Sequence, residues 1–311
     1  MKNQKTISFA AAAALLFTGI SAGGVIVQGA ETQEAGTYAF ISKSMDNPYN
    51  FAMAEGFQEV IEEAGGECVV NHPLNPYADD QITIIDSLIS QHVDAIAIAA
   101  NDETRLTESL NEAKAAGIQI ITLDSDTDHS ARTTFCNQAD TELIAQTMMD
   151  AVYDISGGEG EYAILSTTTY ATNQNAWLEA HPDLKVICAL TSSGITAAAK
   201  TISEAETSVK ITGLGMPSEL EAYIGTGEDA PCPYAYLWNP KDLGRLAASA
   251  CLSLVSGEIT GQAGESVEAD SIEGSPFEIT ALPDDPEATE ILLGSMTCFT
   301  PDNVSQWAKV F

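Results

Sequence analysis

Residues 94–128 read DAIAIAANDETRLTESLNEAKAAGIQIITLDSDTD. Two short apolar runs, AIAIAA at 95–100 and IQIITL at 118–123, flank a segment with helical spacing that ends at Gly117. Neither run alternates apolar with polar residues, so each is expected to be a strand buried on both faces, as in a parallel sheet covered by helices. The second run ends abruptly in Asp124, Asp126 and Asp128, with no lysine or arginine before Arg132. Three explanations compete for these aspartates: a metal site, residues that cap a turn or helix, and acceptors for the hydroxyls of a neutral ligand.

The same alternation extends outward. TYAFIS (37–42) reads as a strand, the stretch from Tyr49 to Gly65 as an amphipathic helix, ECVVN (67–71) as a strand and 79–92 as a helix. The unit recurs about every 25–30 residues, as βα units do. A shorter strand, ARTTFCN (131–137), and a helix over 139–155 follow; SGGEGE (156–161) then breaks the pattern. It resumes with YAILS (162–166), KVICAL (185–190), VKITGLG (209–215) and YAYLW (234–238). The expected fold class is α/β, with two doubly wound parallel-sheet lobes at 37–156 and 157–256 and a cleft between them. The Gly-, Pro- and acid-rich residues 257–311 are expected to form an irregular tail returning across the hinge.

Forty-five acidic residues against twelve basic ones give a formal charge of −33. Such a surface repels phosphate backbones and anionic lipid, which argues against nucleic acid as a partner. Lys2 and Lys5 precede an apolar run too short to span a bilayer, followed by small residues. Residues 1–30 therefore read as a secretory signal peptide, and the mature protein as exported, soluble and periplasmic. The six cysteines form no CxxC and have no histidine at metal-ligand spacing, so they are expected to be core residues.

In parallel sheets, ligands meet the loops beyond the carboxyl ends of the strands. That rule nominates Lys43, Asp46, Asn47 and Tyr49 after the first strand, Asn101 and Asp102 after the third, and Asp124 and Asp126 after the fourth. In the second lobe it nominates residues 167–175, Thr191, Ser192, residues 216–218, Trp238 and Asn239. Hydroxyls, amides, carboxylates, one lysine and several rings suit a polyhydroxylated ligand. Duller roles stand beside these: Asp46 and Asn47 as caps before Pro48, Asp126 and Asp128 as braces of the turn, a Lys43–Asp124 ion pair, and Tyr49, Phe51 and Trp177 as core aromatics, Phe51 above all. Trp238 is expected to face the cleft. The metal explanation fares worst, because DSDTD has an aspartate spacing like that of a calcium loop but lacks the glycine and glutamate of one. The first loop, SKSMDNPYN, contains no glycine to cradle a nucleotide phosphate, and no nucleophile context is present. No cofactor, metal ion or catalytic residue is expected.

The stretches FISKSMDNPYNFAMAEGFQEV, DAIAIAANDETRLTESLNEAKAAGIQIITLDSDTD, TYATNQNAWLEA, PDLKVICALTSSGITAAAK, ITGLGMPSEL, LWNPKDLGRLA and FTPDNVSQW resemble the periplasmic sugar-binding proteins of ABC transporters. The likeness is to the ribose-binding-like type, and within it to the rhamnose- and autoinducer-2-binding branch. It implies a type I periplasmic binding protein whose lobes close by a hinge over one small ligand and dock on a membrane permease. Matched motif by motif, it places ligand contacts at Lys43, Asp124, Asn173, Gln174, Leu190 and Ser192. Asn173, Leu190 and Ser192 depart from the autoinducer-2 pattern, which favours a deoxysugar such as rhamnose or another monosaccharide.

A second departure is larger. NQNAWLEAHPDLK joins a helix start directly to the next strand, where relatives carry a further strand and helix. One βα unit of the second lobe is missing by this comparison, and a hydrophobic flank is expected to lie open. The resulting expectation is a monomeric, non-enzymatic substrate-binding protein for a monosaccharide, working with an ABC permease. The alternatives are a sensory binding protein for autoinducer-2 or a sugar signal, and a sugar-modifying enzyme.

Overall fold

The computed structural model describes residues 36–45, 47–166, 180–205 and 207–311. The first sheet begins with β1 (Thr37–Ile41), β2 (Glu67–Asn71), β3 (Ala95–Ile98), β4 (Gln119–Leu123) and β5 (Thr134–Asn137), all parallel, in the order β2-β1-β3-β4-β5. Every residue of β3 is buried, as its unbroken apolar pattern requires. The reason is a helix layer on each side. α2 (Ala78–Gln91) and α3 (Thr107–Ala115) enclose a core containing Ile41, Ile96, Ile98 and Ile120. The opposite face carries α1 (Pro48–Glu63) and α7 (Pro240–Ser256), which arrives from far along the sequence.

α1 and α7 cross at two glycines. A Cβ on Gly56 would lie 1.9 Å from the carbonyl oxygen of Lys241, and one on Gly244 1.9 Å from that of Met53. Backbone therefore meets backbone where a side chain would hold the helices apart. Lys241 and Arg245 clamp the crossing through Glu59 at 2.6 and 2.8 Å. This contact fixes the start of α7 over the middle of α1.

The second sheet contains β6 (Glu161–Leu165), β7 (Leu184–Ala189) and β8 (Lys210–Gly213) in that order, all parallel. β9 (Ala235–Leu237) pairs antiparallel with β13 (Thr297–Phe299), and one bridge, Leu214 to Tyr236, joins that pair to the end of β8. α4 (Thr141–Ser156) packs on β7 and β8, α5 (Ser192–Glu204) connects those two strands, and the short α6 (Pro217–Leu220) follows β8. The chain thus leaves the first sheet after β5 and comes back to it with α7.

The residues after Gly257 are not irregular. β10 (Ser266–Val267), β11 (Phe277–Leu282) and β12 (Asp285–Leu292) extend the first sheet beyond β5, β12 running parallel to it, and β13 joins the second. These strands bury one face only: Phe277 and Ile279 point inward while Glu278 and Thr280 stay in solvent. Their polar half masks them in a composition-based reading.

Among the described residues β6 pairs only with β7. Tyr162 and Ile164, on one face of β6, are 52% and 57% exposed, and Leu143, Met149 and Tyr153 of α4 are exposed as well. Strand and helix keep apolar surface with nothing described to cover it. Among the described residues this flank lies open.

Candidate functional site

The loop after β1 is held from below. Gln81 of α2, fully buried, donates to the carbonyls of Ser42 (3.0 Å) and Ala99 (2.7 Å) and accepts from the Asn101 amide at 2.9 Å. The Asn101 side chain then donates to the Lys43 carbonyl at 2.8 Å. One glutamine thereby ties the ends of β1 and β3 together and presents Lys43 above them. Lys43 Nζ lies 3.3 Å from Asp124 Oδ2. Asp124 follows β4 with φ of +63°, a left-handed conformation uncommon outside glycine and better tolerated by Asp than by most residues. Residues held there concentrate at functional sites.

The other Asp124 oxygen, Oδ1, accepts from the Tyr49 hydroxyl at 2.8 Å, and that hydroxyl accepts from Trp238 Nε1 at 2.6 Å. The two rings meet edge to face with centroids 6.3 Å apart. Burial, and then the negative charge of Asp124, push the Tyr49 phenol well above its ordinary pKa, so it keeps its proton. Asn47 caps α1 by accepting from the Tyr49 amide (3.0 Å), and its Nδ2 donates across to Ser192 Oγ at 3.3 Å. Ser192 opens α5, which Thr191 caps through the Gly194 amide, and Leu190 beside it is 39% exposed. Loops of the first sheet and of the second thus meet here.

Comparison with known proteins fits this geometry. A family model described as a periplasmic binding protein domain matches residues 38–181. The fold is similar to that of an ABC-transporter solute-binding protein from Clostridium phytofermentas with bound L-rhamnose, at 45% identity and a TM-score of 0.83, covering 89% of this chain and 99% of that one. This chain belongs to the periplasmic sugar-binding proteins of ABC transporters. LsrB from Clostridium saccharobutylicum in complex with AI-2 shares the fold, with a TM-score of 0.76 over 87% of this chain and 99% of that one, at 21% identity. The fructose import binding protein FruE of Bifidobacterium longum is 26% identical over 129 residues, 41% of this chain and 39% of that protein's length.

Against the family's type I architecture, the sequence-nominated residues separate into three groups. Lys43, Asp124, Leu190 and Ser192 lie in the loops that the strand-end rule selects, at the meeting of the two sheets. Asp126 and Asn239 are engaged in structural bonds instead. Asp126 receives a bidentate pair from Arg132, Nε to Oδ1 at 2.7 Å and Nη2 to Oδ2 at 2.6 Å, and a further bond from Thr122 Oγ1. Its partner was the first arginine after the aspartate run. Asn239 caps α7, accepting from the Lys241 and Asp242 amides and donating to the Asp242 carboxylate. Asp128 likewise caps the short 3-10 turn at His129–Ala131. Trp238 is buried rather than facing open space, its indole N–H already used by Tyr49. Asn173 and Gln174 lie outside the described residues, as do Asp46, Trp177 and residues 1–35.

Tyr49, nominated by the strand-end rule with a core role as the alternative, does both: its ring is buried and its hydroxyl bonds Asp124. Phe51, expected in the core, is exposed and packs on the His72 ring at 4.5 Å. The cysteines are free thiols, and burial raises Cys136 and Cys232 to about 12 and Cys188 to about 11. They are not thiolate nucleophiles at neutral pH. Among the described residues no three His, Cys, Asp or Glu side chains group to hold a metal ion, and no helix is long and apolar enough to cross a membrane. A shallow concavity lined by Gly160, Tyr162, His181 and Leu184 lies at the amino ends of β6 and β7, the end away from the site.

Proposed function

We propose that this chain is the substrate-binding component of an ABC importer, capturing L-rhamnose or a closely related deoxysugar between its lobes and delivering it to a membrane permease. The observation that carries this reading is the Lys43–Asp124 pair, set opposite the Ser192 loop in a chain 45% identical to a rhamnose-bound solute-binding protein. A hydroxyl that enters between the pair donates to the carboxylate and accepts from the ammonium, and hydrogen bonds to charged groups contribute about 1.5–3 kcal/mol each. Leu190, 39% exposed, supplies an apolar wall suited to the methyl group of a deoxysugar. Ligand bound by both lobes favours their closed arrangement, so binding shifts the hinge population. The protein is exported through residues 1–30 and acts as a monomer without changing its ligand chemically.

A thermal-shift screen of the purified protein against L-rhamnose, D-arabinose, fructose, glucose and autoinducer-2 tests this. At a hundredfold excess over Kd, ligand linkage gives about 2.7 kcal/mol of added stability, and L-rhamnose is expected to give the largest shift. Stabilisation by none of the sugars overturns the proposal, stabilisation by autoinducer-2 alone favours a sensory role, and a new product after incubation favours an enzyme.

A further inference from the structure

The three bonded groups at the centre of the site have only one consistent arrangement of protons. An indole N–H can donate but not accept. Trp238 Nε1, 2.6 Å from the Tyr49 hydroxyl oxygen, therefore donates to it. The hydroxyl's single proton is then directed at Asp124 Oδ1, 2.8 Å away. Oδ1 is committed inside the protein, whereas Oδ2 faces Lys43 Nζ at 3.3 Å and the Ser125 hydroxyl at 3.3 Å. Both ring residues are buried, so water does not compete for these bonds. Trp238 stands between β9, which a bridge from Leu214 to Tyr236 joins to the second sheet, and α7, whose start the Gly56–Gly244 crossing holds against α1.

We propose that Tyr49 is a positioning residue for sugar recognition: the chain Trp238–Tyr49–Asp124 locks the carboxylate so that Oδ2 alone is offered to a ligand hydroxyl, and it sets that orientation from the junction with the second sheet. The inference rests on the sugar-binding function proposed above. A carboxylate free to rotate would offer either oxygen and would discriminate poorly among hydroxyl orientations. A locked one recognises a hydroxyl in one place, and a site built this way rejects analogues that lack it. The ligand class this selects is a neutral polyol with a hydroxyl that donates to Asp124 while accepting from Lys43; a ligand carboxylate at that position has no proton to donate and meets the charge of Oδ2.

Tyr49→Phe, Trp238→Phe and the double variant, labelled with nitrogen-15 at the indoles, test this with two independent readouts. In the absence of sugar, the Trp238 indole N–H resonance, assigned by its loss in Trp238→Phe, is expected to move upfield in Tyr49→Phe as its acceptor is removed. An unmoved resonance overturns the chain of bonds whatever the protein binds. In calorimetric titration with L-rhamnose, each single variant is expected to bind about 10-fold more weakly and the double variant no worse than the weaker single one, because both act through one path. Additive losses, or wild-type affinity in folded Tyr49→Phe, overturn the positioning role. If the wild-type protein binds no sugar while the resonance moves, the sugar-binding function fails and the bonded chain stands.

Discussion

Asp126→Asn separates scaffold from binding site at the aspartates that follow β4. The Arg132 side chain is 1% exposed and makes two short bonds to the Asp126 carboxylate, while its Nη1 donates to the Thr289 carbonyl of β12 at 2.8 Å. The guanidinium thereby links the β4 turn to the strand that extends the first sheet. The amide keeps the size of the carboxylate but removes its charge and turns a donor toward the guanidinium. Removing one partner of a buried ion pair costs about 3–5 kcal/mol, because the other charge stays desolvated. For a chain of this size that corresponds to a Tm lowered by roughly 6–15 °C. Thermal unfolding followed by circular dichroism, with sugar titration well below the lowered Tm, provides the assay. The expected result is a large loss of stability with nearly unchanged sugar affinity. An unchanged Tm with weakened sugar binding would refute this reasoning and return Asp126 to the site.

Other expectations follow from packing and charge. Gly56→Ala places a methyl group into the Lys241 carbonyl, costing about 1–3 kcal/mol or more; both Tm and sugar affinity should fall, since Trp238, bonded to Tyr49, directly precedes the cap of α7. Burial raises the Glu219 carboxyl above its ordinary 4.5, and its Oε2 is buried without a partner among the described residues. Its raised folded pKa means that stability is fully present below 4.5 and is lost as pH rises through the folded value. Glu219→Gln should therefore raise Tm at pH 7 by roughly 2–4 °C, about 1 kcal/mol after solvent screening, with the gain vanishing in acid. Ile164→Thr on the open flank should change stability by less than about 0.5 kcal/mol, while Ile187→Thr in the adjacent strand should lower Tm by several degrees.

The first sheet was legible because its strands are buried on both faces and so carry unbroken apolar runs, as at Ala95–Ile98 and Gln119–Leu123. The strands after Gly257 were not, because half of each is solvated and short turns separate them. In the site, Lys43 and Asp124 followed from their place beyond strand ends. Asp126 has the same composition and nearly the same position, but its chain turns back to Arg132, a pairing six residues apart that matches neither helical nor strand spacing. Tyr49 was nominated by the same rule but its role stayed open, because a buried ring serves the core and the site at once and sequence shows the ring without the partner of its hydroxyl. The proton order through Trp238 needs contacts between residues 189 positions apart, which no local pattern encodes.

Isothermal titration of L-rhamnose into the wild-type protein and into Asp124→Ala addresses the sugar-binding claim most directly. One sugar per chain, with a Kd at or below about the micromolar range, is expected for the wild type. Loss of a charged acceptor should weaken this by about 10- to 150-fold in Asp124→Ala, with its fold retained. Equal affinity in the two proteins, or no heat of binding in the wild type, would contradict the claim that Asp124 receives a sugar hydroxyl.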